Sequence, residues 1–386
     1  MKTSKLTQKV EKSKIRVMYD LARQKENVLN FTVGEPDFMT PRSIVEVSNR
    51  YFSEGYTKYT PNSGVDELRE AIAEKYEPVV GHKICPNTDV IITMGATEAL
   101  LVAMQTIMDP GDEILICGPY FSSYINQVLI CHCKSVIVPT SEENHWIPKA
   151  EEIEKRITPK TKMLLLNSPC NPTGAVMDEE TLRQIARICI EHDIVVISDE
   201  VYKEIRYDGK EYFSIASVKG MEERTIIVNS FSKTYAMPGW RLGYAVGPEW
   251  IISMMPKTHD VTCACVCAPF QYAGAYALRN CDEEVSQMVE KFRARRDLVY
   301  QGINSMEGLS AVEPQGAFYL FFNIKELGLT SEDFAYQLLD KEGVVLVPGT
   351  GFGDAGQGYI RFTYAANEEE LKRGLERIEH FVKMYR

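Results

Sequence analysis

Residues 163–202 read MLLLNSPCNPTGAVMDEETLRQIARICIEHDIVVISDEVY. Met163 to Leu166 is a short apolar run that breaks into NSPCNPTG, whose Asn-Pro and Thr-Gly pairs favour a tight turn. EETLRQIARICIEHD reads as a helix, and Ile194 to Ile197 as a second apolar run. Strand, helix and strand in succession, with both strands apolar on each face, predict parallel strands covered by helices.

The same alternation extends to both sides. Val90 to Thr93 (VIIT) is a strand candidate, followed by the turn MGAT and an apolar-rich helix from about Glu98. Ile114 to Cys117, Val136 to Val138 and Ile226 to Val228 are further strands of a mainly parallel α/β sheet. Near the end the pattern changes: AFYLFFNI, VVLVPG and YIRFTY read as strands among helices at DFAYQLLDKEG and EELKRGLERIEHFVKMY. In the last helix Leu371, Leu375, Ile378 and Val382 recur at helical spacing. The expected division is an N-terminal arm over residues 1–45 that also completes a smaller α+β domain, a large domain over 46–280 and the rest of the small domain over 281–386.

The chain has 386 residues, 45% hydrophobic and 25% charged, enough for two subdomains around an extensive core. Its formal net charge of -11, with no dense Lys/Arg block, disfavours nucleic acid and anionic membrane as partners. The start lacks the apolar run of a signal peptide and no later stretch approaches a membrane span, so a soluble, cytoplasmic protein is expected. Ten cysteines are scattered without a secretion signal, which favours reduced thiols. CHC (Cys131, His132, Cys133) and CACVC (Cys263, Cys265, Cys267) look metal-like, yet neither run has a matched second half, and ordinary thiols are expected.

In open α/β sheets ligands bind outside the carboxyl ends of the strands, so the polar residues that follow each strand are the candidates. After VIIT comes Met94-Gly95-Ala96-Thr97 leading into a helix, whose free N–H groups and positive dipole end suit a phosphate. After MLLL come Asn167 and Asn171; after IVVIS come Asp199 and Tyr202. After IIV come Ser230, Ser232 and Lys233, with Arg241 beyond in NSFSKTYAMPGWRLGY. Each has a plainer reading alone: NPTG as a turn, Asp199 as a helix cap, Arg241 as a surface ion pair. Their shared placement at one edge of one sheet is what argues for a site. A phosphate cradle beside a lysine amine and a buried-strand aspartate suits pyridoxal 5'-phosphate, whose aldehyde needs an amine and whose ring nitrogen needs an acid partner.

NPTG, SDEVY and SFSKTYAMPGWRLGY in that order resemble the pyridoxal-phosphate-dependent class I/II aminotransferases of fold type I, the aromatic and aspartate enzymes among them. The resemblance runs from GEPDF at Gly34 to YIRFTYA near Arg361. It implies a large domain with a mainly parallel seven-stranded sheet, a smaller α+β domain, and a homodimer. It further implies that Lys233 bonds the cofactor aldehyde and afterwards moves the substrate Cα proton, that Asp199 partners the pyridine nitrogen, and that Asn171 and Tyr202 bond the ring hydroxyl. Ser230, Ser232, Arg241 and the turn Gly95, Ala96 and Thr97 form the phosphate cup. In GPYFSSY, the resemblance implies that Phe121 stacks on the ring with Tyr124 nearby. By the same resemblance, Tyr59 in KYTP is expected to reach the neighbouring subunit's cofactor phosphate. The resemblance implies that Arg361 clamps the substrate carboxylate with Gly34 and Asn167, and that an extended N-terminal helix with the Gly34 segment forms a mobile flap.

The reaction so implied moves the amine of an L-amino acid to a 2-oxo acid such as 2-oxoglutarate by a ping-pong cycle. Several aspartate enzymes of this group carry a lysine in the turn after the first large-domain strand, whereas here it reads GATEAL, with Thr97 and Glu98. Together with NSPCNPTGAV and the tail around Gly349, Thr350, Gly351 and Phe352, this resembles the aromatic or broad-specificity members. An aspartate or N-acetyl-diaminopimelate aminotransferase and a C–S β-lyase are the alternatives. A transcription-regulator sensor domain is disfavoured by the short segment ahead of GEPDF.

Overall fold

The structure, a computed structural model, describes residues 3–385. Its central sheet has seven strands in the order Val90–Thr93, Gly243–Val246, Thr225–Ser230, Val195–Asp199, Thr161–Asn167, Glu113–Gly118 and Lys134–Pro139. The last five pair in parallel, and Gly243–Val246 runs antiparallel to both of its neighbours.

The inner strands are apolar through their middles because both faces are covered, whereas the edge strand Lys134–Pro139 is largely exposed or half-buried. Ile114, Ile116, Met163 and Leu165 pack with Leu100 and Met104 of the helix Ala96–Ile107 on one side. The alternate residues Leu115, Leu164 and Leu166 pack with Leu182 and Ile185 of the helix Glu179–Glu191 on the other. That helix starts where Asp178 accepts a hydrogen bond from the Thr181 N–H at 2.8 Å, and it buries Leu182, Ile185, Ala186 and Cys189 along one face.

The second unit is a four-stranded antiparallel sheet in the order Val347–Pro348, Tyr359–Thr363, Tyr319–Asn323, Ser310–Ala311. Its core joins Phe318, Phe322, Phe334, Ile360, Phe362 and Leu371, beneath the helices Asp282–Asn304, Ser331–Glu342 and Glu368–Val382. Leu29–Asn30 pairs in parallel with Val344–Val345, so the chain's early residues are tied to its late ones.

Two features differ from the sequence reading. Gly243–Val246 is a strand where none was expected, since four residues that open on glycine carry little strand signal. The glycine is needed there, because a Cβ at Gly243 would lie 2.6 Å from the Gly95 carbonyl carbon. The N-terminal segment is not one extended helix: Lys5–Lys9 and Lys14–Ala22 are separate, with Val10 extended at the end of the first, which buries none of its residues. Among the described residues no helix is long and apolar enough to cross a membrane.

Candidate active site

Parallel pairing sets Asn167 beside Asp199 and Asp199 beside Val228, so the carboxyl ends of three strands finish together. They open on a cavity of about 230 Å³ that also reaches the four-stranded sheet through Tyr319 and Arg361. Every site residue expected from the sequence borders this cavity except Gly95 and Tyr59.

The Lys233 amine projects from the short helix Phe231–Thr234 and donates to the Gly34 carbonyl at 2.5 Å. Burial pushes its pKa down to about 8; Glu35 and Asp199 oppose the shift while Arg241 and Arg361 reinforce it. An amine poised near neutrality is a nucleophile and a proton carrier. Asp199 is buried, and burial pushes its carboxyl up to about 6 against the Tyr124 hydroxyl, which donates to Oδ2 at 2.6 Å. A carboxylate in such surroundings favours a cationic partner that compensates its lost hydration.

At the opposite wall, the helix Ala96–Ile107 begins at the cavity and presents the open N–H groups of its first turn. The Ser230 hydroxyl lies 2.9 Å from that of Ser232 and donates to the Leu242 carbonyl at 3.1 Å. Arg241 sits in the left-handed region at φ 53, its Nη1 on the Pro238 carbonyl at 2.9 Å and its Nη2 on the Met94 carbonyl at 3.3 Å. Gly95, at φ 78, backs this cup rather than lining it: a Cβ there would come 2.5 Å from Arg241 Nη2. Helix N-terminus, two hydroxyls and an arginine with only carbonyl partners among the described side-chain bonds make an anion site.

Arg361 is fully buried. Its Nη1 donates to Asn171 Oδ1 at 3.0 Å, Nη2 donates to the Thr32 carbonyl, and Nε has no partner. The guanidinium lies 4.6 Å from the Tyr319 ring centre and 4.8 Å from that of Phe352, and among the described residues it has no carboxylate partner. A buried cation with an orphaned donor is arranged for an acid brought from outside. Asn167 Oδ1 accepts the Asn171 N–H at 2.9 Å and its amide donates to the Asp199 carbonyl at 3.1 Å, which holds the two asparagines in register with Asp199. Tyr202 shares a 2.8 Å hydrogen bond with Tyr319, and burial raises its phenol well above its ordinary pKa, with Tyr319 adding to the shift. Phe121 meets the Tyr124 ring edge-on at 5.6 Å.

The sequence reading missed Tyr319 and Ile15 as cavity residues. Tyr319 pairs with Thr363 as Phe321 pairs with Arg361, so only the register of the two strands sets it on the same face as Arg361. A Cβ at Gly34 would collide with its phenol oxygen, so glycine lets the Lys233-binding carbonyl approach. Nothing local marks Ile15. Tyr59 is 89% exposed and stands outside the cavity of its own chain.

The family model for aminotransferase class I and II matches residues 26–378. The chain belongs to that family. It is 44% identical to the aromatic-amino-acid aminotransferase 2 of Thermococcus litoralis over 97% of this chain and 96% of that one. It is equally 44% identical to an aspartate aminotransferase of Pyrococcus abyssi, with the same coverage. The solved structure of an aromatic aminotransferase from Pyrococcus horikoshii superposes with a TM-score of 0.91 at 43% identity, covering 95% of this chain and 99% of that one. The chain is therefore an aminotransferase that works on amino acids and 2-oxo acids with pyridoxal phosphate as its cofactor. The cavity fits that cofactor: a buried amine, a buried acid, an anion cup and a buried cation with no carboxylate partner among the described residues all border it.

Proposed function

We propose that this aminotransferase takes the amine of aromatic and other bulky apolar L-amino acids and delivers it to a 2-oxo acid such as 2-oxoglutarate in a ping-pong cycle. The observation that carries the substrate class is the charge of the cavity wall. The cations that border it are Lys233, Arg241 and Arg361, and each faces a task common to all substrates. The other residues that line it, Ile15, Thr97, Leu100, Phe121 and Tyr319 among them, add no cation for a distal carboxylate.

Bound pyridoxal phosphate supplies an aldehyde that takes up the amine and a ring that accepts electrons from the substrate Cα. Lys233 carries the Cα proton, a role supported by its depressed pKa and its position at the cavity wall. Asp199, held by Tyr124, keeps the ring nitrogen protonated. Ser230, Ser232, Arg241 and the backbone of Ala96 and Thr97 hold the phosphate, Phe121 covers one ring face, and Asn171 and Tyr202 serve the ring hydroxyl. Arg361, with Asn167 and the Gly34 backbone, orients the substrate carboxylate. Tyr59 completes the phosphate site of a second copy in a homodimer, which agrees with its 89% exposure and with the equally bare Met39 at 92%.

The test compares the first half-reaction of phenylalanine, tyrosine and aspartate by rapid-mixing absorbance, in the native enzyme and in Thr97→Lys. The aromatic amino acids should react with the higher kcat/KM in the native enzyme, and Thr97→Lys should shift the ratio toward aspartate by about tenfold or more, one new charge pair being worth ~1.5–3 kcal/mol when desolvated. A native preference for aspartate would reverse the substrate assignment and match the Pyrococcus abyssi relative.

A further inference from the structure

The CACVC run draws attention as a set of thiols, yet the partners of its first member come from elsewhere in the fold. Cys263 ends the helix Met255–Cys263, and His259 precedes it by one helical turn, so both project from one face. That face meets Glu98 in the first turn of Ala96–Ile107. His259 is fully buried, with Nδ1 3.1 Å from Glu98 Oε1. Cys263 Sγ is 3.5 Å from His259 Nδ1 and 3.8 Å from Glu98 Oε2. The donor atoms of all three residues lie within 4.8 Å of one another.

One donor atom from each of the three residues falls within the span of a single metal's ligand shell. A tetrahedral zinc ion with bonds of about 2.0 Å to oxygen and nitrogen and about 2.3 Å to sulfur spaces its ligand atoms about 3.3–3.6 Å apart. Two of the observed separations share His259 Nδ1 and fall close to that spacing, 3.1 Å to Glu98 Oε1 and 3.5 Å to Cys263 Sγ, while the 3.8 Å contact of the sulfur is to the other carboxylate oxygen, Oε2. An oxygen, an imidazole nitrogen and a thiolate are the donor types that select zinc and its neighbours over magnesium or calcium.

We propose that Glu98, His259 and Cys263 form a site for a divalent transition metal of the zinc class, with the fourth position left to water. Binding forms one metal–sulfur, one metal–nitrogen and one metal–oxygen bond and releases the Cys263 thiol proton to solvent, with no change of oxidation state. The site is separate from the cavity but joined to its rim: Glu98 Oε2 also accepts the Met94 N–H at 2.6 Å, and the Met94 carbonyl accepts from Arg241. A metal here fastens the helix Met255–Cys263 to the turn that carries the anion cup. It leaves the amino-transfer chemistry untouched, so it stands or falls independently of the substrate class proposed above.

The probe is Zn²⁺ alone, supplied to the chelator-washed holoenzyme and then removed by gel filtration, with zinc per chain measured by plasma emission. The native holoenzyme should retain one zinc per chain, and Cys263→Ala and His259→Gln should each weaken retention about tenfold or more. Co²⁺ in place of Zn²⁺ should give visible bands to the red of the cofactor's absorption in the native protein and lose them in Cys263→Ala, and alkylation of Cys263 should slow when zinc is present. Because His259 is buried, its variant is read beside Cys263→Ala, whose near-UV circular dichroism should match the native protein. No retained zinc, or equal retention in native and Cys263→Ala protein, overturns the proposal and leaves a histidine–carboxylate pair beside an ordinary thiol.

Discussion

Replacing Arg361 with leucine tests the carboxylate clamp. The guanidinium is fully buried, braced by Asn171 and the Thr32 carbonyl, flanked by two aromatic rings, and has an unpartnered Nε. It is thus held ready for a planar, two-pronged acid. Hydrogen bonds to charged groups are worth ~1.5–3 kcal/mol each, and truncating one side of a desolvated charge pair costs ~2–5 kcal/mol or more because the other charge is stranded. A loss of about 3–5 kcal/mol corresponds to a fall in kcat/KM of between about two and four orders of magnitude. The assay is the half-reaction of phenylalanine followed by cofactor absorbance, run beside phenylethylamine, which is the same molecule without the carboxylate. The native enzyme should discriminate strongly between them, and Arg361→Leu should lose most of that discrimination while the reaction with the amine changes little. A variant that keeps a native ratio, or falls by less than about tenfold with phenylalanine, refutes the assignment of Arg361 as the carboxylate's partner.

Two other outcomes follow from the site. Burial raises the Asp199 carboxyl to about 6, whereas an unfolded aspartate titrates near ~3.9. In cofactor-free protein the folded chain therefore holds an extra proton between those values, and this contribution to stability is fully present below the unfolded pKa and lost as pH rises through about 6. Denaturant midpoints of Asp199→Asn against the native chain should show the decline between about pH 4 and 6 flattened in the variant; parallel curves would show that Asp199 titrates normally. For Tyr59, hybrid dimers of Lys233→Ala and Tyr59→Ala chains should recover one site of native cofactor affinity, since an intact lysine then meets an intact tyrosine across the interface. Unrecovered affinity in the hybrid would place the action of Tyr59 within its own chain or remove it.

How much was legible in the sequence depends on the range of the interaction. The parallel strands announce themselves locally, because a strand covered on both faces must be apolar throughout, as Met163 to Leu166 is. That Lys233, Asp199 and Arg241 border one cavity was legible, because the carboxyl ends of such strands are where ligands bind and the motif order brings these residues together. Gly243–Val246 was not, since its reason for being a strand is its pairing with Val90–Thr93 and Thr225–Ser230, which no local pattern encodes. The same holds for Tyr319, whose place beside Arg361 depends on strand register, and for Ile15, which reaches the cavity from a separate N-terminal helix. Spacing within CACVC pointed toward thiols as a group, whereas the contacts of Cys263 come from one turn earlier and from a distant helix.

The measurement that tests the central claim most directly is the absorbance of purified holoenzyme as phenylalanine is added alone, then 2-oxoglutarate, in native and Lys233→Ala protein. The cofactor band of the native enzyme should bleach with the amino acid, release one equivalent of the 2-oxo acid per site, and return on the second addition, whereas Lys233→Ala should show no turnover. Substantial turnover in Lys233→Ala, or a native band indifferent to every L-amino acid tried, would contradict the account.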